Sequence, residues 1–111
     1  MADCIFCKIA TGEVKSTIVH QDEHVVAFRD LNPRAPLHVL VIPRRHIASL
    51  ADADDPQLVG RLAHTAAKVA KDAGYGDAFR VVANTGGGAG QSVWHLHFHL
   101  LAGRPFSWPP G

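Results

Sequence analysis

"SVWHLHFHLLAG", Ser92–Gly103, sets three histidines at every second position of an otherwise apolar run. In a strand, successive side chains point to opposite faces. The run therefore reads as a strand over 92–102, with His95, His97 and His99 on one face and Leu96, Phe98 and Leu100 on the other. Neighbouring histidine Cβ atoms would start about 6.6 Å apart, twice the strand rise. The apolar set needs a core, so the histidine set lines a pocket or a groove. Three chemistries suit such a face. One is a row of hydrogen-bonded surface rings. Another is a metal site. The third is nucleophilic and acid–base work on a phosphate, since imidazole is a good nucleophile near neutral pH and imidazolium donates to phosphate oxygens.

The flanking residues favour the third. Gly86, Gly87, Gly88, Ala89 and Gly90 form a glycine-rich segment just before the run. A loop of that kind lets backbone N–H groups approach an anion closely. Ser92 follows and offers a hydroxyl to a phosphate oxygen or a leaving group. A fourth histidine, His38, lies in the apolar strand pattern LHVLVIP (37–43), where a buried ring needs a partner.

Further out, TIVH (17–20) and HVVAFRD (24–30) read as two strands joined by a polar turn, and AFRVVAN (78–84) reads as another strand. A helix is expected from an N-cap at Asp55, with Pro56 in its first position, to a stop at Gly74. Val59, Leu62, Ala63, Ala66, Val69, Ala70 and Ala73 recur between them at helical spacing. CIFCKIA (4–10) suggests a short helix, and TGGGAG (85–90) a flexible loop. The order predicts an α+β fold, an antiparallel sheet with helix packed on it.

The chain has 111 residues, 47% of them hydrophobic and 19% charged, which suits one compact domain over 1–111. A domain so small gains stability by pairing with a copy of itself. Eleven basic against ten acidic residues leave no electrostatic footprint for a long nucleic acid, while a mononucleotide needs only a local pocket. No apolar run approaches the roughly 18 residues of a membrane span. The first residues lack the apolar core of a secretory signal, so a cytoplasmic location is expected, where a structural disulfide is rare. Cys4 and Cys7, spaced Cys-x-x-Cys, are then metal ligands, a redox pair or bystanders. A redox pair prefers a helix start after a strand, and no strand precedes Cys4.

The segment His95-Leu96-His97-Phe98-His99-Leu100-Leu101 resembles the His-φ-His-φ-His-φ-φ signature of the histidine triad (HIT) superfamily, φ being apolar. CIFCKIATGEV (4–14), FRDLNPRAPLHVLVIPRRHI (28–47) and VVANTGGGAGQSVWHLHFHLLAGRPFSWPPG (81–111) extend the likeness over nearly the whole chain. The WPPG ending resembles the Hint branch, the histidine triad nucleotide-binding proteins, rather than the dinucleoside polyphosphate hydrolases.

The resemblance implies a sheet of about five strands with two helices, in a homodimer whose sheets join. It implies hydrolysis of purine nucleoside 5′-phosphoramidates, AMP-linked substrates among them, through a covalent nucleotidyl-histidine that needs no metal. Carried over by position, His97 is the nucleophile. His99 bonds the phosphate and helps protonate the leaving group, Ser92 bonds the leaving group or the phosphate, and His38 supports the nucleophile. Asp30 accepts from the ribose hydroxyls, Leu31 flanks the base, and Asn84 helps place phosphate and ribose. Gly90 and Gln91 meet the phosphate through backbone N–H groups.

Many bacterial Hint-like relatives bind structural zinc with such a cysteine pair and two histidines. The matching residues here are Cys4, Cys7, His46 and His95. Trp108 is implied to reach the other copy's site. Three rival readings remain at this level: a nucleotide-binding interaction protein with vestigial hydrolysis, a dinucleoside polyphosphate hydrolase, and a metal-dependent enzyme using the three histidines as ligands.

Overall fold

The computed structural model describes residues 3–111. Helix α1 spans Ile5–Thr11, followed by strands β1 (Ile18–Gln21), β2 (Val25–Arg29) and β3 (Leu37–Pro43). Helix α2 (Pro56–Asp72), β4 (Phe79–Val82) and β5 (Phe98–Ala102) complete the fold. The five strands form one sheet in the order β1-β2-β3-β5-β4, every neighbouring pair antiparallel. The α+β architecture predicted from the sequence is the one observed.

Helix α2 starts as its residues dictate. Asp55 accepts from the Gln57 N–H and Pro56 occupies the first turn, where a missing N–H costs nothing. The helix stops at Asp72, two residues short of Gly74, whose φ of 88° no longer suits a helix. Its buried stripe is Leu58, Leu62, Thr65, Ala66, Val69 and Ala70. Ala63 and Ala73, expected on that stripe, are exposed. The stripe packs on one face of the sheet, against Val25, Ala27, Val39, Val41 and Leu100.

All seven residues of β3 are buried, so its other face must also be covered. Helix α1 provides part of that cover. Phe6 and Ala10 pack with Val26, Phe28, Leu40 and Ile42, and the Phe6 and Phe28 rings meet edge to face at 5.4 Å. His38 and His99 belong to this second face.

The sheet corrects two expectations. The strand expected over 92–102 begins only at Phe98, so the three histidines do not share one strand face. Residues before it are held otherwise: the Leu96 N–H donates to the Ile47 carbonyl at 2.6 Å, and His95 is fully buried. The glycine-rich segment is not an open loop. It holds a single 3₁₀ turn, Gly87–Ala89, flanked by Gly86 and Gly90 at φ 87° and 98°, which glycine alone adopts without strain. Gln91 pins it. Its Oε1 accepts from the Gly86 N–H at 2.9 Å, and its Nε2 donates to the Ala48 and Val93 carbonyls at 2.7 and 3.1 Å.

Candidate active site and metal centre

A cavity of about 300 Å³ opens on the second face of the sheet, within the size range of small-ligand pockets. His97, His99 and Ser92 line one part of it, and Asp30 and Leu31 another. Ile5, Phe6, Ile9, Phe28 and Leu40 supply an apolar wall, and Lys15 and Ser16 also face it. The register explains the span. His99 on β5 pairs with Leu40 on β3, which pairs with Phe28 on β2, so one row of side chains crosses three strands. At about 4.8 Å per strand that row covers roughly 10 Å.

Hydrogen-bond partners decide which nitrogen of each ring carries the proton, because a backbone N–H only donates and a carbonyl only accepts. His38 Nδ1 accepts the Arg34 N–H at 3.0 Å, so its proton sits on Nε2. That Nε2–H donates to His99 Nδ1 at 2.9 Å, with Asp30 Oδ2 at 3.4 Å as a second, longer acceptor. His99 therefore carries its own proton on Nε2. His97 Nδ1–H donates to the His95 carbonyl at 2.8 Å, which leaves the lone pair on Nε2. His95 Nε2–H donates to the Pro43 carbonyl at 2.8 Å, which leaves its lone pair on Nδ1. The rings of His97 and His99 lie 5.0 Å apart, centroid to centroid.

Burial favours the neutral ring at His38, His95 and His99. His99 is pulled down to about 4 by desolvation, then by the positive charge His97 and His38 would carry beside it. Desolvation also lowers His38, with Arg34 acting in the same direction and Asp30 opposing. Asp30 is itself oriented by the Asn32 N–H, which donates to its Oδ1 at 2.8 Å.

His95 turns away from the cavity into a second cluster. Its Nδ1 lies 3.3 Å from Cys4 Sγ and 3.5 Å from Cys7 Sγ, while His46 Nδ1 lies 3.3 Å from Cys7 Sγ. The four donor atoms all fall within 4.8 Å of one another. Ligand bonds of 2.0–2.3 Å at tetrahedral angles require donor separations of roughly 3.6 Å, so the set suits a four-coordinate cation. Burial, and then the neighbouring Cys4 sulfur, push the Cys7 thiol up. A bound cation reverses that, because it binds the thiolate. The bond from His95 to Pro43 is the outer partner such a ligand needs to hold its tautomer.

Not every residue singled out from the sequence reaches the cavity. Asn84, Gly90 and Gln91 are absent from its lining. The Gly90 and Gln91 N–H groups donate to the Gly87 and Gly86 carbonyls at 3.1 Å each, so both amides are already engaged. Leu31 touches the cavity but is 97% exposed. Trp108 is exposed and lies outside it. Phe6, Ile9, Lys15, Ser16, Phe28 and Leu40 could not be singled out from the sequence, because they come from α1, β2, β3 and the loop between α1 and β1 and form no motif. The one available signal was β3, apolar on both faces and therefore covered on both.

The HIT domain family matches residues 11–106 of the chain. This chain belongs to the HIT family. An uncharacterized HIT-like protein of Synechocystis is 50% identical over 98% of this chain and 97% of its own length. The 14 kDa zinc-binding protein of Zea mays is 48% identical, covering 96% of this chain and 87% of its own. Among solved structures, a HIT family hydrolase from Legionella pneumophila superposes with a TM-score of 0.95 at 45% identity, covering 98% of this chain and all of that one. A histidine triad protein from Clostridium difficile superposes at 0.92 with 47% identity, each chain covered to 96%. In this HIT chain the cavity lies beside the second and third triad histidines, His97 and His99.

Proposed function

We propose that this HIT protein hydrolyses purine nucleoside 5′-phosphoramidates, with His97 as nucleophile. The observation that carries the reading is the pair of opposed tautomers in the cavity, a lone pair on His97 Nε2 beside a proton on His99 Nε2. One ring attacks while the other donates, and neither needs to rearrange first.

The base lies against Phe6, Ile9, Phe28 and Leu40, and Asp30 accepts from the ribose hydroxyls. His97 Nε2 attacks the α-phosphorus and the P–N bond to the amine breaks. The negative phosphoryl group favours an extra proton on the His38–His99 pair, because an opposite charge raises the affinity of a base for protons. The departing amine takes that proton. Water then attacks phosphorus and the P–Nε2 bond breaks. The water's proton returns to the pair, and the nucleoside monophosphate leaves. Splitting the reaction into two displacements lowers each barrier, and the fixed donors stabilise the spread charge on phosphorus. Ser92, exposed at the cavity rim, meets the leaving group. The engaged amides of Gly90 and Gln91 leave the phosphate to the side chains.

Zinc is the cation that two thiolates and two imidazoles suit best. When bound it cross-links α1 to the segment carrying His46 and His95. Cys4, Cys7, His46 and His95 hold it, and no reaction step passes through it. The zinc-binding name of the maize relative supports this assignment.

The test is turnover of adenosine phosphoramidates by the protein and by His97→Ala. Loss of at least about 10³-fold in kcat is expected, on the scale of removing a covalent catalyst. Undiminished turnover rules out the nucleophile. Tight AMP binding with negligible turnover in the unaltered protein points instead to a nucleotide-binding interaction protein.

A further inference from the structure

Helix α1 serves both centres. Cys4 caps it, its Sγ accepting the Cys7 N–H at 3.4 Å, so two donors of the metal cluster sit at the cap and in the first turn. The opposite flank of the same helix carries Ile5, Phe6 and Ile9 into the cavity wall. Phe6 stands between the two. Its ring lies 5.1 Å from that of His97, 6.0 Å from that of His95 and 5.4 Å from that of Phe28. A second connection runs through the chain itself, where the His95 carbonyl orients His97. At seven residues α1 is far below the length at which a helix stands alone in water. Its order rests on packing, on the Arg44 guanidinium that donates to the Ala10 carbonyl, and on whatever ties Cys4 and Cys7 to His46 and His95.

We propose that the Cys4–Cys7–His46–His95 cluster is a positioning device for the nucleotide cavity, coupled to it through Phe6 and the His95 carbonyl, so that cation and nucleotide reinforce each other's binding. The proposal rests on the nucleotide reading above. The cation fixes α1 against the sheet and fixes the residue that orients His97. Without it, α1 keeps its apolar contacts and the bond from Arg44 Nη1 to the Ala10 carbonyl at 2.7 Å, and a nucleotide must complete the ordering of the wall that it binds. That ordering cost appears as weaker affinity. The effect is reciprocal by linkage: a nucleotide that holds the wall in place retains the cation by the same factor.

The test uses the full chain loaded with zinc and, in reductant, the same chain stripped by a chelator. AMP affinity is measured by calorimetry on both. Zinc affinity is measured by competition with a chromogenic chelator, with and without saturating AMP. A coupling of about 5- to 150-fold, equal in the two directions, is expected. In Phe6→Ala, which keeps all four ligands, the factor should fall toward one. If stripping unfolds the chain, the competition arm on the loaded, folded protein decides alone. AMP binding that ignores zinc, together with zinc binding that ignores AMP, overturns the coupling and leaves the nucleotide reading standing. A loaded protein that binds no AMP overturns both. A chain that takes up no zinc overturns the coupling.

Discussion

Replacing Gln91 by alanine should cost about 3 kcal/mol of stability although it removes no apolar core. The side chain is only 5% exposed and spends its amide entirely on backbone, with one acceptance from Gly86 and donations to Ala48 and Val93. Each such bond contributes about 1 kcal/mol net, and truncation strands three backbone groups rather than removing both partners. For a domain near 100 residues, about 3 kcal/mol corresponds to a fall in Tm of roughly 10–20 °C. Urea unfolding followed by far-UV circular dichroism measures it, with an unchanged m-value showing that the denatured state is unaltered. Gln91→Glu sharpens the test. It keeps the volume and an acceptor for Gly86, but turns a carboxylate toward two carbonyls, so it should be worse than alanine. A loss below about 1 kcal/mol for Gln91→Ala, or a glutamate better tolerated than alanine, refutes the claim that this side chain closes the 86–93 segment.

Other perturbations separate other physical causes. Leu62→Ala, at a position with no exposed surface between α2 and the sheet, should cost about 2–5 kcal/mol in the same assay, while Ala63→Ser on the exposed flank should be nearly neutral. Asp55→Ala should cost about 1 kcal/mol by leaving the Gln57 N–H uncapped, read as lost helicity and lowered Tm. Gly103→Ala should cost more than Gly90→Ala: both have φ near 97°, but only at Gly103 would a Cβ meet Pro36 Cβ at 2.9 Å and the Tyr75 hydroxyl at 3.2 Å. Acid should weaken the fold through His99. The unfolded ring takes its proton near the ordinary 6.5 and the folded ring only near 4, so the unfolded state binds more protons between those values. Stability is then complete above pH 6.5 and declines as pH falls to 4, by about 2 kcal/mol after allowing for the ring's partial exposure. His99→Gln should flatten that slope in denaturant titrations at pH 7, 6 and 5, and an equal slope in the variant would refute the assignment.

Local chemistry made much of the fold legible. The Asp55–Pro56 start of α2, its apolar stripe and the β-branched run of β3 are decided within a few residues, because capping, periodicity and strand propensity act at short range. Two kinds of feature were not decided there. Alternation in HLHFH predicts one histidine face only if the strand persists, and a tertiary hydrogen bond from Leu96 to Ile47 and the burial of His95 end it at Phe98. Likewise a glycine-rich segment reads as an open anion loop until Gln91, whose partners lie up to 43 residues away, is seen to tie it shut.

What the sequence by itself determined was the chemistry on offer: four histidines at His38, His95, His97 and His99, a cysteine pair, an α+β frame and the family's signature. The division of labour among those rings was decided by the tertiary structure alone. Which nitrogen of His38, His95 and His97 holds the proton depends on a single backbone neighbour, the Arg34 amide or the Pro43 and His95 carbonyls, and His99 takes its tautomer from His38. Spacing along the chain does not fix these bonds: Pro43 lies 52 residues from His95, and although Arg34 and His95 lie only four and two residues from the rings they hold, the backbone conformation that aims each group at its ring is set by the fold. Only folding brings a carbonyl acceptor to one side of His95 and of His97, and a donor to His38 and through it to His99, and so leaves the other nitrogen of His95, His97 and His99 free to act.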